Sequence, residues 1–187
     1  MPPSFVTLPA ETRGLRHDPV TIALHWVSAV LVAALWTIGQ TVDLAPAGPL
    51  RVDYRSLHIA LGVTLGVVLI ARLWWRLMRR EKLPPIDHGV LLVVARLTHW
   101  LLYGLLAVAV ALGVANVWVR GDAIFNLFKV PAYAPGDRAL IHLVGGWHAL
   151  AANTVLIVAG LHAAAALFHH YILRDATLRR MLPWGLR

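Results

Sequence analysis

Four apolar runs, each close to or above the ~20 residues a bilayer-crossing helix needs, constrain this chain more than any other feature. They lie at about residues 20–42, 57–77, 90–119 and 139–173, joined by short connections. Across all 187 residues only 14% are charged and 59% are hydrophobic. Soluble domains carry nearer a quarter charged residues. The expected architecture is all-α: residues 1–187 form one integral membrane domain, a four-helix bundle whose outer face is solvated by lipid.

Charge placement orients the bundle. Twelve of the 17 Lys and Arg fall in the N-terminus, the second connection with its flanks, and the tail. The densest part is Arg72, Arg76, Arg79, Arg80 and Lys82, closed by Pro84-Pro85. By the positive-inside tendency that side faces the cytoplasm, with both termini. The net charge of +8 sits beside apolar runs, where it orients helices and meets anionic headgroups; no nucleic-acid module is present. Asp18-Pro19 reads as a helix start, with Asp as N-cap and Pro in the first position. Ala45-x-Ala47 faintly resembles a signal-peptidase site. The run before it has 23 residues, longer than a signal peptide's, so the helix is expected to be retained. Gly62-x-x-x-Gly66 would let a helix or a flat ring approach closely. In the third connection, residues 123–128 are expected to form a short amphipathic turn on the membrane surface.

The chain has no Cys, which excludes disulfides, thiolate metal sites, iron–sulfur clusters and C-x-x-C-H haem attachment. It has ten His and three Met. Four His fall at paired depths. His25 and His162 lie toward the cytoplasmic side, His58 and His148 toward the outer side. His148 and His162 are fourteen residues apart on one helix, within about 40° of the same face and roughly 21 Å apart along it. Two bis-imidazole haems slotted between helices suit this arrangement. Low-spin electron-transfer haem takes two axial ligands, and neutral imidazole adds no charge within lipid. A His-lined metal transporter is the rival reading, but such sites usually recruit carboxylates or thiols, and no Asp or Glu lies inside any of the four runs. A single His near a span end is more often interfacial. His17, His88 and His142 read as solvated flanks. His99, His169 and Arg96 cluster at the cytoplasmic end as a polar belt or a quinone pocket; His170 adjoins them.

The residues themselves carry a resemblance. Ile22-Ala23-Leu24-His25-Trp26, Leu57-His58-Ile59-Ala60-Leu61-Gly62, Thr98-His99-Trp100-Leu101-Leu102-Tyr103, Trp147-His148 with Asn153, and the run Gly160 to Tyr171 resemble the bacterial cytochrome b561 family, in particular its di-haem superoxide oxidases. The likeness covers about residues 17–184. It implies two non-covalent haem b groups, one ligated by His25 with His162 and one by His58 with His148. It implies a bacterial inner-membrane protein that takes electrons from superoxide at the periplasmic side and reduces ubiquinone at the cytoplasmic side. His99 and His169 match positions near the quinone, with Arg96 beside them. The alternative is a di-haem subunit relaying electrons between a periplasmic redox protein (hydrogenase, dehydrogenase or soluble cytochrome) and the quinone pool. Membrane b-type cytochromes often form homo-oligomers; no residue here decides that.

Overall fold

Each long apolar run becomes a helix because only a helix satisfies its backbone polar groups within lipid. The computed structural model describes residues 16–79, 83–84, 86 and 89–183. Helix α1 spans Pro19–Thr41, α2 Pro49–Met78, α3 Gly89–Arg120 and α4 Arg138–Phe168. The last helix continues as a π-helical turn, His169–Leu173. Neighbours in sequence pack on one another, and α1 also meets α4, which closes the ring. All four helices are long and apolar enough to cross a membrane.

The helix starts follow local chemistry. Asp18 caps α1, accepting from the Thr21 amide at 3.0 Å, with Pro19 in the first turn. Gly48, at φ 132°, turns the chain into Pro49 and α2. Helix α2 therefore begins eight residues ahead of the apolar run at 57–77. Its first two turns carry Arg51, Asp53 and Arg55, so hydropathy marks where lipid begins and not where the helix does. Arg51 donates to the Ala45 carbonyl at 2.8 Å, and Arg55 pairs with Asp122 at 3.3 Å.

The third connection corrects an expectation. Residues 123–128 do not form an amphipathic turn; they belong to an antiparallel hairpin, β1 (Ala123–Ile124) with β2 (Phe128–Lys129). Phe125 and Asn126 at its tip both have positive φ, 48° and 57°, as a tight primed hairpin turn requires. Ser56 of α2 holds the hairpin down. It is 1% exposed, and its hydroxyl accepts from the Phe125 amide at 2.7 Å. Asn126 adds a bond to Asp53 at 2.9 Å.

Most large apolar side chains of the bundle face outward, as lipid solvation permits. The buried centre is one layer with a residue from each helix: Leu35, Leu65, Leu106 and Val155. Gly66 lets α3 close in, since a Cβ there would sit 3.2 Å from a Val110 methyl. Both chain ends meet at one end of the bundle, where the His17 amide donates to the Arg180 carbonyl at 3.1 Å. The Trp26 indole donates to the Met181 carbonyl at 2.7 Å, drawing the tail beneath α1. Below, "inner" means nearer the termini and "outer" nearer the hairpin. Arg13, Arg80, Lys82, Pro85, His88 and Arg187 lie outside the described residues.

Candidate functional site

The inner level is built from α1 and α4. His25 and His162 face each other with ring centroids 6.4 Å apart and planes at 71°. At the outer level, His58 of α2 faces His148 of α4 at 6.0 Å and 83°. Two imidazoles on opposite sides of one metal ion, each bonded at about 2.0–2.1 Å, have centroids roughly 6.3 Å apart. Both pairs are spaced for a shared axial position. Among the described residues no three His, Cys, Asp or Glu side chains gather as they would around a bare metal ion. Paired imidazoles match a metal whose other ligands come from a macrocycle, as in haem.

Side-chain tautomers and packing support the outer pair. His148 Nδ1 donates to the Ala109 carbonyl at 3.0 Å, which fixes the ring and leaves Nε2 with its lone pair free. His58 Nδ1 is buried without a partner. Gly113 and Gly39 leave room beside these rings. A Cβ at Gly113 would lie 3.2 Å from His148 Cε1, and one at Gly39 would lie 3.4 Å from His58 Cε1. A cavity of about 900 Å³ opens here, lined mainly by apolar side chains together with His58, His148 and Trp36. That lies within the roughly 300–1,000 Å³ of small-molecule and cofactor sites. Donor set and glycine-lined space both fit a haem.

One interval organises all four helices. His148 and His162 are fourteen residues apart, and so are His25 and Gly39, His58 and Arg72, and His99 and Gly113. Each helix thus gives one residue to each level: His25, Arg72, His99 and His162 inside, Gly39, His58, Gly113 and His148 outside. The apolar layer lies between them; Val155 is seven residues from both histidines of α4, and Leu106 seven from His99 and Gly113.

The structure sorts the remaining inner residues. His99 lies 5.2 Å from His162, closer than His25 and short for a shared iron; its Nδ1 donates to the Ala95 carbonyl at 2.6 Å, which fixes the ring. His169 is drawn elsewhere. It sits in the π turn and its Nδ1 donates to the Asp175 carboxylate. Burial pushes the Asp175 carboxyl up, but the bonds from His169 and Thr177 outweigh it and hold the group below its ordinary range. Arg96 is exposed, with no polar partner among the described residues. His17, expected to be solvated, is half-buried; burial and then the Arg79 and Arg180 charges lower its pKa. His142 is exposed at the cavity rim.

At the outer rim Arg120 and Asn116 line the cavity, and each has a buried polar atom without a partner, Arg120 Nε and Asn116 Oδ1. Asp122 is 7% exposed; burial raises its carboxyl despite Arg120 and Arg55 nearby. Sequence reasoning missed Gly39, Gly113, Arg72 as a neighbour of His25, and Trp36, whose indole donates to Asn153 on α4 at 2.9 Å. The fourteen-residue interval was the available signal for the first three.

Comparison with known proteins agrees with this geometry. Residues 16–184 match the family model described as prokaryotic cytochrome b561. The chain is 30% identical over 173 residues to a probable superoxide oxidase CybB of Yersinia pestis, covering 90% of this chain and 96% of that one. It is 29% identical to cytochrome b561 homolog 2 of Escherichia coli K12, covering 89% and 91%. It is 30% identical to a cytochrome b562 of Cereibacter sphaeroides, covering 89% and 94%. The chain belongs to the prokaryotic cytochrome b561 family, whose work is electron transfer in the membrane and whose cofactor is haem b.

Proposed function

We propose that this cytochrome b561 oxidises superoxide at the outer, periplasmic face of the inner membrane and reduces ubiquinone at the inner, cytoplasmic face. Two haem b groups would span the route, one held by His58 and His148, the other by His25 and His162. The observation that carries this is the pair of facing imidazoles at 6.0 and 6.4 Å, one pair per level of a single bundle. Bound haem supplies reversible one-electron chemistry. Two superoxide ions give up one electron each to become dioxygen, and one ubiquinone takes both electrons with two protons from the cytoplasmic side.

The chain's own residues shape each end. At the outer rim Arg55 pairs with Asp122, and Arg120, whose charge also acts on Asp122, lines the cavity. Arg120, with no carboxylate at ion-pair distance among the described residues, would draw a small anion toward the cavity, more strongly at low salt than at high. The apolar layer of Leu35, Leu65, Leu106 and Val155 keeps water from bridging the two levels. At the inner end His99 is the quinone-site candidate best placed against the His25–His162 pair. His169 and Arg96 lie farther toward the cytoplasm and would line the route by which quinone arrives. Similarity to a protein named a probable superoxide oxidase supports the donor assignment.

Stopped-flow mixing of the purified protein with superoxide tests the reading: fast haem reduction, then reoxidation on adding ubiquinone. Slow or absent reduction by superoxide would remove that donor and leave membrane electron transfer standing. A second reading, delivery from a periplasmic redox protein, is favoured by the apolar hairpin tip, where Leu127 is 82% exposed and Phe128 60%. Haem reduction by such a protein but not by superoxide would select it.

A further inference from the structure

Among the described residues Arg72 has no carboxylate partner. It lies on α2 at the depth of the inner histidines, fourteen residues from His58. Its one polar contact among the described residues is Nη2 donating to His25 Nδ1 at 3.4 Å, a long bond. That contact needs Nδ1 as acceptor, which places the proton on Nε2. A neutral imidazole that gives its Nε2 lone pair to a metal carries the proton on Nδ1 instead. With His25 ligating through Nε2, Arg72 loses the one acceptor it has among the described residues.

The guanidinium is nevertheless held in place. Arg72 Cζ lies 5.3 Å from the Tyr103 ring centroid. Arg76, one turn on, stacks 5.5 Å from Trp100 and 5.9 Å from Tyr103. Neither pairs with a carboxylate among the described residues. Aromatic faces orient a guanidinium without using its N–H groups, so the fork of Arg72 stays available. An arginine at such depth, with no anion beside it among the described residues, suits one supplied by a ligand. Haem carries two carboxylates, and guanidinium binds carboxylate with two parallel charge-assisted bonds.

We propose that Arg72, with Arg76 stacked beside it, binds the carboxylate side chains of the inner haem and thereby sets both its retention and its potential. This rests on the reading of His25 and His162 as that haem's ligands. At the outer level the helix positions beside the ligands are glycines, Gly39 and Gly113, which offer no charge.

The test uses the purified holoprotein, with the inner haem identified as the one that His162→Ala removes. Potentiometric titration and haem loss to apomyoglobin are compared for wild type, Arg72→Gln and Arg72→Lys, without quinone. Arg72→Gln should lose the inner haem about tenfold faster or more, the scale of a missing hydrogen bond to a charged group. It should also lower the inner midpoint potential, because a nearby positive charge favours the reduced form. Arg72→Lys should restore most of the potential and little of the retention, since a point charge lacks the fork. The outer haem should be unaltered throughout. Unchanged inner retention and potential in Arg72→Gln overturns the proposal, as does loss of both haems together, which marks a general structural role. A defect seen only in a separate assay of ubiquinone-dependent reoxidation, with retention and potential unaltered, also overturns it and assigns the guanidinium to the acceptor. If wild type binds no haem, or His162→Ala removes none, the underlying ligand reading fails and the proposal falls with it.

Discussion

The outer and inner levels use the same four helices at the same interval yet surround their imidazoles differently. Outside, Gly39 and Gly113 press close to His58 and His148, and the surroundings are largely apolar. Inside, the equivalent positions of α1 and α3 hold His25 and His99, and α2 adds Arg72. The outer level has a glycine-lined, mainly apolar cavity around its two imidazoles, with Arg55, Arg120 and Asp122 also in its lining. The inner level crowds nitrogen donors around its pair. On the proposed function the outer level would meet a small diffusing anion, which needs access, and the inner would load protons onto a quinone, which needs hydrogen-bonding groups beside the cofactor.

The largest expected effect tests the pairing on which the comparison stands. His58→Ala and His148→Ala should each abolish one and the same haem, and His25→Ala and His162→Ala the other, read by haem content and visible spectra. If His25→Ala and His162→Ala removed different haems, the two levels would not be separate units. Next, Gly113→Val should lower outer haem occupancy severalfold and leave the inner haem in place. A Cβ there already sits 3.2 Å from the His148 ring, and the branched methyls crowd it further. Equal loss of both haems would show that the glycine serves bundle packing.

Two carboxyl groups sharpen the comparison through pH. Asp18, at the inner end, is desolvated, yet its bonds from Thr21 and Trp75 and the Arg79 charge hold it below its ordinary value of 3.8. Its contribution to stability is present above that value and is lost as pH falls through the lower folded one. Asp18→Asn keeps the cap but removes the charge that faces Arg79, and should cost about 0.5 kcal/mol, with the loss fading in acid, in thermal melts against pH. Asp122, at the outer end, is raised by burial, so folding favours its protonated form and its cost grows as pH rises above 3.8. Asp122→Asn should therefore show the opposite pH slope. Slopes of the same sign would refute the assigned difference between the ends. An effect of similar small size belongs to the bond between the levels: Asn153→Ala removes the acceptor of the Trp36 indole and should cost about 0.6 kcal/mol, the average for such bonds between membrane helices.

Much of this site was legible in the chain because a membrane helix converts residue number into depth. Fourteen residues separate two histidines of α4, and the ~1.5 Å rise per residue does the rest. The Asp18-Pro19 start was legible for a similar reason, since the cap needs only local atoms. The hairpin was not. Its tip places Phe125, without a glycine's freedom, at positive φ, and what steadies it is the Ser56 hydroxyl, 69 residues away in sequence. Nor does depth alone separate His25 from His99 as the neighbour of His162, because both sit at the inner level.

By itself the sequence determined four membrane helices, the two depths at which imidazoles occur and the absence of thiol chemistry. These follow from hydropathy, rise per residue and composition. Tertiary structure decided which rings face one another at ligand spacing, which glycines make room beside them, and that Arg72 ends beside His25 and the Tyr103 ring. Those are properties of helix rotation and packing between helices, which no single helix encodes.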